Sequence, residues 1–449
     1  MKSSLTPNTD YKKSSYLQLG RIVISLSVIT IIAKVFGFAE KIVIAHFFGT
    51  DVESDVYFAS MGIVLSAAFI VRELIYPSLL PILSRAIHEQ SGAASNLLRK
   101  IFIFAVSIIL ILCIALFVFS DFFTAILLPG FKGNKFVITS KILRFLSPAI
   151  FFLSLSMITQ TVLNSYKKFI KAAVSEAAMK IFIVAGIIAL APFIGIYAVA
   201  AILVIGSALL FSTQFYCVPE KIFIKNSYAG KDFNDVLRLM SPIAIGIIFS
   251  HISGIIDNML ASTLDTGSVS YLGYSKKIID AIILIGPVAI MTVVYSQLCH
   301  LASQEKWYDF KKLFAKALTL ILCISLPASF ALIFFSRAVV EMLFQHGRFS
   351  AISTAGTSDA LFVYAVGLAA LSIEGLIVYS FFAMSDTKTP VKWGIVCVFI
   401  DIALAVLLIE PLGFTAIAWA FVISKTIKVA ILFVILKIKL ASLSVRNQI

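Results

Sequence analysis

Long apolar runs recur along the whole chain, and they constrain its fold more than any other feature. Each run has roughly 18 residues or more, which as an α-helix is long enough to cross a hydrocarbon core of about 30 Å. Only 13% of the residues are charged and the mean hydropathy is +1.02, whereas a soluble domain is about 25% charged. Water cannot solvate such a surface. The sequence therefore predicts an all-α polytopic membrane protein.

The apolar runs alternate with short polar connections, and this pattern predicts about twelve transmembrane helices. A polar, lysine-bearing leader precedes the first run, which lacks a small-residue cleavage site and is longer than a signal-peptide core. We therefore expect the first helix to be retained. The predicted spans are 21–47, 56–83, 101–127, 141–164, 173–191, 195–217, 240–263, 268–298, 315–336, 355–383, 390–409 and 414–436.

The basic residues of the connections indicate an orientation. The connections after even-numbered spans carry lysine and arginine, as at Arg99, Lys168 and Lys388. By the positive-inside rule these connections and both termini are expected in the cytoplasm, as in a multi-pass protein of the bacterial inner membrane. The net charge of +14 lies in these loops rather than on one face, so no nucleic-acid partner is expected. Four cations of the outer loops depart from the rule: Lys132, Lys135, Arg337 and Arg348.

The two halves of the chain resemble each other at an offset of about 218 residues. The segment at Gly37 corresponds to the segment at Gly254, and Gly130-Phe131 corresponds to Arg348-Phe349. Because each copy holds an even number of helices, the copies enter the membrane in the same sense, as in parallel-repeat transporters. We expect two six-helix lobes around a central cavity; the alternative is a duplicated bundle without a transport role. The expected boundaries are a leader at 1–20, lobes at 21–218 and 239–437, a linker at 219–238 and a tail at 438–449.

Nine ionisable residues lie inside the predicted helices 1, 2, 7 and 8. Each would cost about 2.5–3.5 kcal/mol at the bilayer centre if it faced lipid. Together they would cost more than the net stability of a fold, so they must face one another, the protein interior or a wet cavity. They are Lys34, Glu40, Lys41, Arg72, Glu73, Asp257, Lys276, Lys277 and Asp280.

The cations outnumber the acids in this set, and this surplus suits an anionic head group whose phosphate oxygens accept from ammonium and guanidinium groups. The predicted substrate-binding residues are Lys34, Lys41, Arg72, Lys276 and Lys277. The alternative for each residue is a buried ion pair that stabilises the bundle.

Three further charges lie in the later helices. Asp401 and Lys425 lie at similar distances from the starts of two spans that cross the membrane in opposite directions. Both are therefore expected near the midplane, which favours a structural ion pair between them. Glu374 has no partner that the sequence identifies, so it is either a site for a coupling ion or a protonated acid.

Motifs for chemistry are lacking in the sequence. The five cysteines lie in or beside apolar spans at unrelated spacings, which indicates neither a disulfide framework nor a metal site. No nucleophile–base spacing or phosphate-binding loop appears either. We expect neither a cofactor nor a metal, and we expect a transporter rather than an enzyme.

Several motifs resemble the MviN/MurJ family, the lipid II flippases of peptidoglycan synthesis in the multidrug/oligosaccharidyl-lipid/polysaccharide exporter superfamily. The most specific are Phe344-Gln345-His346-Gly347-Arg348-Phe349 and Asp386-Thr387-Lys388-Thr389-Pro390-Val391-Lys392; Gly37-Phe38-Ala39, Ser54-Asp55, Pro81-Ile82-Leu83 and Gly267-Ser268-Val269-Ser270-Tyr271 support them. The resemblance implies a V-shaped pair of lobes around a cationic cavity lined by helices 1, 2, 7 and 8. It also implies a polyprenyl pyrophosphate sugar as substrate.

The chain departs from the family pattern in its charges. The first helix has Lys34 and Glu40 where two arginines are typical, with Lys41 where an acid is usual. Helix 8 has Lys276-Lys277 in place of an Asp-Arg pair. The family usually has fourteen spans, against the twelve expected for this chain.

Three functions are compatible with these features. The first is a flippase for lipid II or a related undecaprenyl-pyrophosphate glycan, acting by alternating access. The second is an H⁺- or Na⁺-coupled exporter of a small amphipathic compound, and the third is a non-transporting scaffold. The expected partners of the flippase are the lipid-linked glycan and membrane lipids; a monovalent coupling ion is left open. Acids assigned to gating or ion coupling are Glu40, Asp55, Asp257, Asp280 and Glu374.

Overall fold

The computed structural model describes residues 9–88, 93–219, 247 and 251–446, and it describes side chains over 25–75, 102–219 and 251–443. These residues form fourteen helices. They are α1 (Thr9–Phe48), α2 (Val52–His88), α3 (Ala93–Val118), α4 (Ser120–Leu127), α5 (Gly133–Ser165), α6 (Phe169–Ile194), α7 (Ile196–Tyr216), α8 (described over 251–262), α9 (Ser268–Ile285), α10 (Pro287–Ser303), α11 (Trp307–Phe344), α12 (Ala351–Ala383), α13 (Lys388–Leu412) and α14 (Thr415–Arg446).

Two of the predicted spans, the third and the eighth, are each built from two helices. The third span breaks at Phe119, whose backbone leaves the helical region, and α3 and α4 meet at 84°. The eighth span bends by 41° between α9 and α10. Its break lies at Gly286 before Pro287, because proline lacks the amide that would continue the hydrogen-bond ladder.

The helices are long and apolar enough for a bilayer. Over the described residues, eight helices meet the requirements of length and hydropathy for a membrane span, and up to ten spans are counted if each bent pair is one span. Large apolar side chains such as Ile111, Phe193 and Phe334 are exposed on the outside of the bundle. Lipid rather than water is the solvent that suits such a surface.

The backbone repeats the 218-residue offset seen in the sequence. Positive φ angles recur at Gly49 and Gly267, at Lys167 and Ser385, and at Gly195 and Gly413. These pairs end equivalent helices in the two halves. Helix packing is also repeated: α5 packs against α2 and α7 in the first half, and α12 packs against α9 and α14 in the second. The fold is therefore a pair of lobes with the same internal arrangement.

The helix bounds differ from the predicted boundaries at both ends of the chain. Helix α1 begins at Thr9, inside the predicted leader, and α14 continues to Arg446, inside the predicted tail. The predicted linker at 219–238 lies outside the described residues except for its first position.

The lobes meet at one end of the bundle, which we call the closed end. It comprises the connections at 49–51, 128–132, 263–267 and 345–350 together with the adjoining helix ends. Here α1 contacts α9 and α11, and α2 contacts α9. Tyr274 of α9 is fully buried and its ring lies 4.6 Å from that of Phe58 on α2. Aromatic packing between the lobes thus excludes water from this end.

Candidate substrate cavity and gate

A cavity of about 580 Å³ lies between α2 of the first lobe and the helices of the second lobe. Acids, lysines and small polar residues line it beside apolar side chains. The lining residues are Ser66, Glu73, His251, Ser253, Gly254, Asp257, Lys276, Val378, Phe382, Pro390, Val391, Gly394, Ile395, Cys397, Val398, Asp401, Phe421, Ser424, Lys425 and Lys428. The cavity therefore carries both signs of charge, whereas the family resemblance had implied a cationic one.

Two carboxylates of the cavity come from different helices. Asp257 lies on α8 and Asp401 on α13, and both line the cavity. Asp401 is 2% exposed, and its Oδ2 accepts a hydrogen bond of 2.5 Å from Ser253 Oγ. Its other oxygen has no hydrogen-bond partner among the described residues. A buried acceptor of this kind is costly unless a proton, cation or water satisfies it.

The predicted ion pair between Asp401 and Lys425 is wrong in its partner. Lys425 Nζ lies 3.2 Å from Glu374 Oε1 and Lys428 Nζ lies 2.7 Å from the same oxygen. The sequence predicts similar membrane depths for Asp401 and Lys425. Pairing also depends on the direction in which each side chain leaves its helix, and the sequence does not reveal that direction. Glu374, for which the sequence identifies no partner, is therefore the acid that pairs with both Lys425 and Lys428.

Among the predicted binding lysines, Lys276 is the one that lines the cavity. Its ammonium lies 4.4 Å from the centre of the Phe421 ring, a cation–π contact, and it forms no ion pair with a described carboxylate. Lys277 points elsewhere, because successive residues on a helix are about 100° apart. Its ammonium lies 3.4 Å from Asp280, and both side chains are about half exposed.

The first lobe holds a separate charged network. Glu40, 2% exposed, accepts from Lys41 at 2.6 Å and from the Tyr57 hydroxyl at 2.7 Å. Lys41 is itself buried and also donates to Tyr57. Lys180 of α6 approaches Glu40 at 3.4 Å. Lys41 is thus already satisfied by protein groups, which differs from its predicted place in an open binding space.

The two remaining predicted cations, Lys34 and Arg72, are exposed. Next to Arg72, Glu73 of α2 faces His251 of α8, with 3.5 Å between the carboxylate and the imidazole Nε2. This contact joins the two lobes on the cavity side.

Asp55 is the centre of the contacts between the lobes at the closed end. It is 0% exposed and lies in the first turn of α2. Its Oδ1 accepts from Ser270 N at 2.9 Å and Ser270 Oγ at 2.6 Å, and its Oδ2 accepts from Gly267 N at 2.8 Å. The carboxylate therefore satisfies amides at the start of α9, where the helix macrodipole favours negative charge. Lys135 Nζ completes the set at 2.7 Å.

Further hydrogen bonds tie the lobes around Asp55. The Arg348 amide donates to the His46 carbonyl at 2.9 Å, and the hydroxyls of Thr50 and Ser353 are 2.7 Å apart. The Arg348 guanidinium also lies 3.3 Å from Glu53, which is partly buried, and 3.4 Å from Asp51, which is exposed. Two of the four cations that depart from the expected charge pattern, Lys135 and Arg348, thus contact acids of the closed end.

Sequence reasoning missed Lys180, Lys428 and the contact between Glu73 and His251. Lys180 and Lys428 are isolated cations inside apolar spans, which is itself a signal of function or burial. His251 stands in no metal-ligand spacing, so the sequence alone does not single it out. Its partner is distant in the sequence, so no local pattern could identify it.

Comparison with known proteins decides the family. The family model described as "Lipid II flippase MurJ" matches residues 44–447. The chain belongs to the MurJ family of lipid II flippases. It is therefore a transporter of the inner membrane rather than an enzyme, in a family that serves peptidoglycan synthesis.

Individual MurJ proteins resemble the chain over most of its length. The "Probable lipid II flippase MurJ" of Buchnera aphidicola subsp. Schizaphis graminum is 27% identical over 84% of this chain and 75% of its own. The "Lipid II flippase MurJ" of Burkholderia cenocepacia is 24% identical over 84% and 76%. The identification from sequence motifs is thereby confirmed.

Solved structures confirm the fold. "Lipid II flippase MurJ, inward closed conformation" superposes with a TM-score of 0.82 at 26% identity, covering 94% of this chain and 90% of that one. An inward-facing multidrug resistance MATE family transporter of the MOP superfamily superposes at 0.80 with 14% identity, covering 94% and 98%. At that identity the second match shows the fold alone.

Proposed function

We propose that this MurJ-family protein moves the head group of lipid II, or of a related undecaprenyl-pyrophosphate glycan, across the inner membrane by alternating access. The observation that carries the proposal is a cavity between the lobes, lined by charged and polar side chains, next to an end that cross-lobe contacts close. A pyrophosphate sugar cannot cross hydrocarbon unaided. A cavity with fixed charges replaces its water, while the polyprenyl tail stays in lipid.

We propose Lys34, Lys41, Arg72, Lys276 and Lys277 as the residues that receive the head group, with Lys276 in the leading role. Lys276 lines the cavity, contacts the Phe421 ring and has no described carboxylate within ion-pair distance. Its donors are therefore available to phosphate oxygens. Lys41 would have to exchange Glu40 for substrate, and Lys277 would have to leave Asp280.

A monovalent coupling ion also belongs to this proposal, at Asp257 and Asp401. The unpartnered oxygen of Asp401 and the nearby carboxylate of Asp257 offer acceptors to a proton or a cation. Asp55 would act in gating. Glu40, Asp280 and Glu374 have lysine partners within 3.4 Å, which favours a structural contribution from each beside any role in coupling.

The exporter alternative is not favoured, because the family match identifies lipid II flippases and the MATE structures share only the fold. The two classes make opposite predictions for the cavity: an exporter would depend on the acids and not on Lys276, and a flippase would depend on Lys276. The predictions of the flippase are as follows. Lys276→Gln should weaken lipid II binding by about 10-fold or more, since a charge-assisted hydrogen bond in such a site contributes about 1.5–3 kcal/mol. Asp257→Asn should leave binding intact and change how transport responds to H⁺ or Na⁺ gradients.

Lipid II binding to the purified variants, with transport in vesicles, separates these outcomes. Lys312→Gln, an exposed lysine at the start of α11, is the matched control and should bind as the unmodified protein does. Normal binding and transport in Lys276→Gln, together with complete loss in Asp257→Asn, would refute the flippase proposal.

We further propose that both termini are cytoplasmic and that the closed end faces outward, so that the structure is inward-facing. The basic connections support this orientation. The proposed lobes are residues 21–218 and 239–437. In intact cells, an impermeant thiol reagent should label Thr266→Cys, in the connection before α9, and should spare Thr387→Cys, in the connection before α13. Labelling of Thr387→Cys but not of Thr266→Cys would show that the protein has the opposite orientation.

A further inference from the structure

Asp55 has a cation from its own lobe as well as donors from the other lobe. Lys135 lies in the first turn of α5, and its ammonium is 2.7 Å from Asp55 Oδ2. The ammonium also lies 4.2 Å from the centre of the Phe131 ring. The Lys135 side chain is 13% exposed and the Asp55 side chain is 0% exposed. Lys135 is therefore a buried partner of Asp55, unlike an ordinary surface lysine.

The donors to Asp55 divide between the lobes. Three hydrogen bonds come from Gly267 and Ser270 at the start of α9, in the second lobe. Lys135 comes from α5, which packs along α2 within the first lobe. When the lobes separate at this end, the α9 donors must leave Asp55. Lys135 can move with it.

Formation of the closed end buries the Asp55 carboxylate completely, so its negative charge must be compensated. The neutral donors of α9 supply hydrogen bonds but no full positive charge, while the loss of water penalises an uncompensated anion heavily. A cation already in contact with Asp55 removes most of this penalty. The amides of α9 then dock onto a neutral Lys–Asp pair rather than onto a lone charge.

We propose that Lys135 is a gating residue, which supplies the counter-charge that lets Asp55 be buried whenever the closed end forms. The proposal rests on the alternating access proposed above. Lys135 does not bridge the lobes itself, so its effect on closure passes through Asp55. It is a positioning residue for the gate, and this role accounts for a lysine at the closed end, where the positive-inside rule disfavours one.

The test measures how often the closed end opens. Thr50→Cys places a thiol at a position that is 7% exposed in the closed end, and its labelling rate reports opening. Purified protein in detergent is used, so the readout depends neither on membrane orientation nor on lipid II. The same protein without the Thr50 substitution gives the background of the native cysteines.

In this reporter, Lys135→Met should raise the labelling rate about tenfold or more, because the closed state now buries an unpaired carboxylate. Lys135→Arg keeps the charge and should remain near the parent rate. Lys132→Met, an exposed lysine three residues earlier, is the matched control and should have no effect. Adding Asp55→Asn to Lys135→Met removes both charges, so labelling should be slower than in Lys135→Met alone.

A purely structural role for Lys135 predicts a lower thermal unfolding temperature with an unchanged labelling rate. Equal labelling in Lys135→Met and Lys132→Met would therefore overturn the proposal. If Lys135→Met does not fold, Lys135→Gln retains a donor without the charge and carries the same comparison. Because no substrate is present, failure of the lipid II assignment would leave this result standing, and failure here would leave that assignment standing.

Discussion

Asp386 shows how one side chain can hold the ends of two helices together. It precedes α13, accepts from Thr389 N at 3.1 Å and Thr389 Oγ at 2.9 Å, and pairs with Lys439 of α14 at 2.5 Å. Burial alone would raise the pKa of Asp386, but the hydrogen bonds from Lys439 and Thr389 outweigh it and hold this pKa below the usual value. The specific motif at 386–392 is thus a helix start tied to the last helix.

Asp386→Asn should destabilise the protein by roughly 0.5–1 kcal/mol near pH 7, because it removes the charge that pairs with Lys439 while an acceptor for Thr389 remains. The lowered pKa fixes the sign of the pH dependence. The contribution is complete above the unfolded-state pKa of about 3.9, and it is lost as pH falls through the lower folded-state value. Thermal unfolding in detergent at several pH values should show the variant and the parent converging at low pH. Asp265→Asn, an exposed loop acid, is the control, and a gap that widened as pH fell would contradict this account.

At the scale of single residues, the sequence identified charges within the helices but could not say which are buried or how they pair: Glu40 and Asp401 are buried, whereas Lys34 is exposed. The cost of a charge in lipid depends strongly on its depth, and the position of a residue within an apolar span indicates that depth. Pairing depends on the rotation of each helix and on neighbours far along the chain. Lys425 therefore contacts Glu374 rather than Asp401, and Lys135 contacts Asp55, 80 residues away.

At the scale of helices, the breaks are as informative as the spans. The break at Phe119, between α3 and α4, has a counterpart at Phe335, where the backbone of α11 leaves the helical region. The equivalent third span of each lobe therefore changes course at nearly the same place. Hydropathy could not reveal either break, because both flanking segments are apolar and neither break contains proline or glycine.

Close approach between the connections depends on glycine. Gly130 donates its amide to Ser262 Oγ at 3.2 Å, and a Cβ there would overlap the Ser262 carbonyl. Gly49 has a φ of +57°, and a Cβ there would lie 2.5 Å from the Arg348 carbonyl oxygen. Each contact joins the first lobe to the second. Side chains at these positions would hold the lobes apart.

Gly130→Ala should therefore favour opening of the closed end. In the Thr50→Cys reporter we expect labelling to be several-fold faster, while the overall fold is kept. Gly394→Ala, whose Cβ would meet its neighbours at an ordinary 3.6 Å, provides the control. A labelling rate unchanged by Gly130→Ala would show that this contact does not limit opening.

At the scale of the whole molecule, the duplication was the feature that the sequence revealed best. An offset of 218 residues in the sequence recurs in three pairs of positive φ angles and in the helix packing. The conformational state was beyond sequence reasoning. Closure at one end depends on contacts such as Thr50 with Ser353 and His46 with Arg348, which join segments some 300 residues apart.

Locking the closed end tests alternating access most directly. The hydroxyls of Thr50 and Ser353 lie 2.7 Å apart across the lobes, so Thr50→Cys with Ser353→Cys places two thiols within reach of a disulfide. Lipid II translocation by this double variant in proteoliposomes is measured after oxidation and again after reduction, with each single variant as control. We predict that oxidation stops translocation, that reduction restores it, and that the single variants respond to neither. Translocation at the same rate in the cross-linked and reduced protein would contradict a transport cycle that requires this end to open.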